Sequence, residues 1–168
     1  TQIGALTSDE MSALATTQIA ALPRTSVASL SETQIDALDA TQLGALTSAQ
    51  ISSLTTTQIG YLSDDDIDAF SATQLKGLTS AQAAALSSTS LLGLTATQLA
   101  GLSANVIASL STTVIAGLDA NQVAALSTSQ IKALKVAQVD AFDTTQIGAL
   151  TTTQLAAMSS TQIASLST

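Results

Sequence analysis

The sequence contains no cysteine and no histidine, one proline, and only three aromatic residues, Tyr61, Phe70 and Phe142. Without cysteine there are no disulfides, no thiolate nucleophile and no cysteine-ligated zinc, and the redox compartment is left open. Without histidine the commonest general base and metal ligand is missing. The scarcity of rings means that any core must be aliphatic and built in thin layers. Positive charge is equally sparse. Arg24, Lys76, Lys132 and Lys135 stand against 12 acidic residues, for a net charge of −8, so nucleic acid and anionic membranes are poor partners. No run of about 18 consecutive apolar residues is present to span a bilayer, and no signal peptide is visible. The glycines occur singly rather than in a phosphate-binding loop, and none of the many serines has an evident base beside it. The expectation is a non-enzymatic chain without cofactors.

What is present is one octad, repeated without insertion or deletion, so that the 168 residues divide into 21 units. It is seen cleanly at Thr47–Leu54 (TSAQISSL) and Thr151–Met158 (TTTQLAAM). Leucine or a substitute returns every eighth residue, from Leu6 through Phe70 and Phe142 to Leu166. A second apolar series sits three residues earlier, from Ile3 to Ile163, and only Ala83 breaks it with a small side chain. Ser, Thr or Asp usually follows the Leu, and Gln usually precedes the Ile.

This pattern is a helix start written repeatedly. Ser, Thr or Asp followed three residues later by Gln is a capping box, in which the hydroxyl accepts from the N3 amide and the Gln reaches back to the cap's own amide. The flanking Leu and Ile are the two halves of a hydrophobic staple. A single long helix is a competing reading, disfavoured because eight residues advance about 800°, so the apolar stripe would slip ~80° per octad and circle the rod. A β-solenoid is the other alternative, since Thr, Ile and Val favour strands. In a strand, however, residues three apart face opposite sides, and strands have no use for a recurrent capping box. The reading is therefore all-α: a right-handed α-solenoid of very short helices of six or seven residues, one per octad. An isolated helix that short is unstable, and one buried Ile–Leu pair does not offset the ordering of eight residues, so only the stacked array is stable. Residues 1–168 read as one solenoid cut from a longer array, because no initiator Met and no polar terminal repeat is seen. The small residues before each Leu are expected to let successive helices pack closely.

Departures from the pattern mark candidate sites. Pro23-Arg24-Thr25-Ser26 puts Pro at a cap and Ser at the Gln position, either as a tolerated variant or as a hinge. Asp64, Asp66 and Asp68 have the spacing that opens a calcium loop, but Ala69 stands where Gly is needed and Leu75 where the bidentate Glu belongs. Acidic residues in a first helical turn account for the cluster, leaving a weak cation site as the alternative. Across residues 87–118 the Gln position becomes Ser90, Val106 and Val114, Leu92 adds an apolar residue, and Gly77, Gly93, Gly101 and Gly117 collect before the Leu series. Val106 and Val114 read either as extra core or, with Tyr61 and Leu92, as a patch facing a partner. Thr also recurs two residues before the Ile series, as at Thr17, Thr57, Thr97 and Thr153. It is explained by helix initiation, with an ice- or glycan-facing surface as the alternative.

The strings TTQIGALTTTQLAAM (residues 144–158) and TSAQISSLTTTQIGYL (residues 47–62) resemble the octapeptide-repeat tracts of very large bacterial secreted or surface proteins, loosely labelled adhesins. The likeness runs the length of the chain. It implies an extracellular or cell-surface stalk, matrix or filament whose partners are neighbouring repeats, with self-association in the same role, and it carries over no catalytic residue. A protein-binding scaffold is the alternative function.

Overall fold

The computed structural model describes residues 2–166. A 3₁₀ turn at Gln2–Ala5 is followed by 20 α-helices of four to six residues, beginning with Ser8–Ser12 and ending with Ser160–Ser165, and no strand occurs among the described residues. Eleven of the 20 have the six residues expected from the spacing, and the other nine have four or five. Except at Leu94, each octad closes on a tight bond from the amide of the Leu position to the carbonyl of the Ile position three residues back, as in Leu54 to Ile51 at 3.1 Å and Leu134 to Ile131 at 3.2 Å. The following Ser, Thr or Asp is already extended, with Thr47 at φ −75° and ψ 158°. No described residue has a positive φ, so the chain turns at every octad without needing glycine.

The helix starts follow the expected box. Thr47 Oγ1 accepts from the Gln50 amide at 3.2 Å, and Gln50 Oε1 accepts from the Thr47 amide at 2.7 Å. Where the cap is Ala15 or Lys135 only the reciprocal half survives, with Gln18 and Gln138 accepting from the cap amides at 2.8 and 2.7 Å. Pro23 and Ser26 lose both parts at once. Pro has no amide hydrogen to donate, and Ser26 has no carbonyl arm to receive one. At Glu10 the amide and hydroxyl of Thr7 both donate to the carboxylate, at 2.8 and 3.0 Å, and hold it below the usual carboxylate range.

Helices that follow one another in sequence are not the ones that pack together. Helices three octads apart do so: Ala96–Gly101 lies on Ala120–Ala125, and Ala104–Ser109 on Thr128–Ala133. This corrects the expectation that the small residue before Leu serves successive helices. It faces the turn before, and at Gly77 an added Cβ would sit 1.9 Å from the Ser48 carbonyl oxygen. Gly101 stands in the same way over Ala72, at 2.5 Å. The reason is geometric: a four- to six-residue helix followed by an extended pair redirects the chain, and one circuit is completed after three to four octads.

The Ile and Leu series form one continuous aliphatic column from Met11 to Met158. Ile19, Ile51, Ile59 and Ile131 are fully enclosed, whereas Ile163 is 44% exposed. Ile is thus covered by the turn that follows it. Leu behaves in the opposite sense, half-buried at Leu6, Leu14 and Leu22 but buried from Leu30 to Met158 except at Leu86. The stack therefore has a direction, and each turn meets its two neighbours through different faces. No described helix is long and apolar enough to cross a membrane.

Candidate functional site

The Gln side chain has a second task beyond the capping box. While Oε1 accepts from the cap amide, Nε2 donates to carbonyls 28 to 31 residues earlier, at the C-terminal end of a helix in the preceding turn. Gln50 Nε2 reaches Ile19 and Leu22, each at 2.9 Å. Gln82 reaches Ile51 and Leu54, each at 2.7 Å. Gln162 reaches Ile131 and Leu134 at 3.0 and 2.8 Å. Among the described residues 13 such Gln side chains are buried. A helix end leaves backbone carbonyls without partners, and here the carboxamide of a later octad supplies the donor. The result is a ladder of buried amides joining each turn to the next. No buried side-chain nitrogen or oxygen among the described residues lacks a partner.

The sequence departures are the places where this ladder loses a rung. Asp66 stands in the Gln position but has no N–H. Its carboxylate accepts from the Ser63 amide at 2.9 Å and from the Ser63 hydroxyl at 2.7 Å, which completes the cap and leaves the turn before it unbridged. Val106 and Val114 are 0% and 3% exposed. Both belong to the core, the first of the two roles open to them; Val106 fills its rung with hydrocarbon, whereas Val114 leaves a small opening beside it. Tyr61 and Leu92 are half-buried at its edge, and the Leu92 methyls lie 3.0 Å from where a Cβ on Gly117 would be. The Thr row is exposed throughout, as at Thr17, Thr57, Thr97 and Thr153.

Ser90 differs from the other replacements. It is 3% exposed, and its hydroxyl makes a short hydrogen bond to Asp64 Oδ1 in the preceding turn. The Ser87 hydroxyl donates to the same oxygen at 3.2 Å. Asp64 is therefore engaged between turns, and Asp66 in its own cap, while Asp68 lies on the flank of Gly93. No three carboxylates of the described residues converge to hold a cation. Beside the missing carboxamide lies a shallow pocket of about 620 Å³ against Ile59, Leu62, Asp64, Leu86, Ser87 and Ser90. A second pocket, of about 250 Å³, lies where Val114 replaces Gln over the small Ala83, bordered by Leu86, Leu91, Leu110 and Ser111. Both openings coincide with lost rungs. Sequence reasoning named residues 87–118 and residues 61–70 as the alternative partner-binding surface, without singling out the gap at Ser90. The signal the sequence held was the choice of Gln over Glu at the third helical position, since both suit a capping box but only Gln keeps a donor.

Two stretches of the chain match a known repeat. Residues 107–136 and 134–168 match the family model described as the ALTTAQ repeat, whose six letters compare with Ala149–Gln154 (ALTTTQ) and Ala45–Gln50 (ALTSAQ) here. The chain is a tandem-repeat protein of helical architecture. No curated protein and no solved structure matches it.

Proposed function

We propose that this chain is a non-enzymatic spacer, a stalk or filament segment of a large bacterial surface or secreted protein, whose dimensions are set by octad count. The observation that carries the reading is the constant offset of the amide ladder. Every buried Gln reaches the carbonyl 28 residues earlier, from Gln34 on Leu6 to Gln162 on Leu134. A surface loop tolerates insertion, but one added residue here would move every later Gln, Ile and Leu out of register. Helices pack about 8–10 Å apart, so a circuit of three to four octads gives roughly 2–3 Å of rise per octad. The acidic, cysteine-free composition and the resemblance to octapeptide tracts support an extracellular setting, with neighbouring repeats and further copies of the array as partners.

The test compares three deletions by small-angle scattering and thermal melting. Removing residues 47–78, four whole octads, rejoins Leu46 to Thr79 with cap and staple restored. It should leave a folded rod shorter by about one helix diameter, roughly 10 Å. Removing Thr47–Leu54 should give a folded rod of nearly unchanged length. Removing Ala49 alone should break the array into two cooperative parts. Collapse of the four-octad deletion, or indifference to loss of Ala49, would end the spacer reading. A binding role has one observation in its favour, the pocket at Ser90.

A further inference from the structure

At 13 rungs among the described residues the same pair of backbone groups is joined by one carboxamide: the cap amide N–H of one octad and the carbonyl of the Leu, or at Gln98 of Phe70, in the turn before. Ser90 is too short to join them. The corresponding groups are the Ser87 N–H and the Leu62 C=O, and neither has a hydrogen-bond partner among the described residues. Octads on both sides hold them in register, because Gln82 reaches Ile51 and Leu54, and Gln98 reaches Asp68 and Phe70. Ser90 and the Asp64 carboxylate occupy the inner part of this rung, and beside them opens the pocket of about 620 Å³, which Leu62 and Ser87 also line. Its accessible apolar wall is the half-buried Leu86 with the edge of Leu62, and its polar edge is Asp64 with Ser87 and Ser90.

We propose that this pocket is a docking site for a glutamine side chain presented by another polypeptide. The chemistry follows from the groups on display. The Leu62 carbonyl and the second oxygen of the Asp64 carboxylate, whose Oδ1 is taken by Ser87 and Ser90, can accept N–H donors, and a primary amide nitrogen carries two. The Ser87 N–H calls for an acceptor on the same ligand. An ammonium or guanidinium satisfies the first requirement and not the second. A carboxylate satisfies the second, but sets its charge against Asp64 and the Leu62 carbonyl. A carboxamide on a two-carbon stem meets both and lays its methylenes against the apolar wall, as Gln side chains do at the filled rungs. The site stands apart from the spacer reading, since an array that is purely structural would gain from a Gln at residue 90.

The test uses the whole 168-residue chain, nitrogen-15 labelled, with N-acetylglutamine N-methylamide as the probe and its glutamate counterpart as the comparison. The glutamine probe should shift the Ser87 amide resonance saturably, with smaller shifts around Leu62 and Asp64, and the glutamate probe should leave them in place at neutral pH. Ser90→Gln should fill the rung from within, abolishing the response while raising the melting temperature. No shift at Ser87, equal shifts from both probes, or an undiminished response in folded Ser90→Gln would each overturn the proposal. The two-probe comparison on the unaltered chain decides it even if the variant does not fold.

Discussion

Gln130 offers the sharpest test of the amide ladder. It is 1% exposed. Its Oε1 accepts from the Ser127 amide at 2.7 Å, and its Nε2 donates to Leu99, Ala100 and Leu102 at 3.0, 3.4 and 2.9 Å. Gln130→Met keeps the length of the side chain and removes both functions, leaving the partly buried Ser127 N–H and the buried Leu102 carbonyl without partners. At about 1–3 kcal/mol for each orphaned group, softened by relaxation, the loss should be about 2–4 kcal/mol. Gln130→Glu keeps the acceptor and replaces the donor with a second oxygen facing three carbonyls. At neutral pH the cost should reach about 3–5 kcal/mol, the range for an uncompensated buried charge. Burial and the facing carbonyls raise the folded-state pKa of the introduced carboxyl above its unfolded value of about 4.3. The protonated acid has one O–H to give to Leu102, so the variant is least destabilised below about pH 4. It loses stability as pH rises through the interval between the two pKa values, and is flat above the folded one. Urea unfolding followed by circular dichroism at pH 4 and pH 7, each referenced to the unaltered chain at the same pH, measures this directly. A Gln130→Glu variant with the same deficit at both pH values, or a Gln130→Met variant within about 0.5 kcal/mol of the parent, would show that the inter-turn amides do not hold the turns together.

Two further substitutions probe the packing. Gly77→Ala would place a methyl 1.9 Å from the Ser48 carbonyl oxygen and should destabilise by about 1–3 kcal/mol. Gly93→Ala meets nothing closer than the Asp68 carboxylate at 3.6 Å and should stabilise by up to about 1 kcal/mol. Thermal melts that fail to separate the two would contradict the close approach at Gly77. Lys135 caps its helix without a side-chain hydrogen bond, so Lys135→Ser should add about 1 kcal/mol, seen as a higher melting temperature. No gain would mean that the cap is idle in the assembled array.

Local features were legible because they are written within one octad. The capping box at Thr47–Gln50, the enclosure of Ile51 and Leu54, and the all-helical class follow from neighbours three or four residues apart. What lay beyond the sequence depends on where the chain returns. Nothing inside TSAQISSL says that Gln50 will meet Ile19 and Leu22, because that pairing is fixed by the angle through which each short helix and extended pair redirect the backbone. The same gap hid the difference between Val106, which fills its rung, and Ser90, which leaves one open. It also led the small residue before Leu to be assigned to the next helix, when Gly77 in fact lies over Ser48.

A circuit of three to four octads also has a rotational consequence. Adding or removing one octad changes the length of the rod by little more than the thickness of a methylene chain, yet it swings whatever is attached beyond it through a quarter to a third of a revolution about the axis. Arrays that differ by one octad would therefore present the same attached domain to different compass directions at almost the same height. Copy-number variation in such a tract would act as an azimuthal dial before it acts as a ruler.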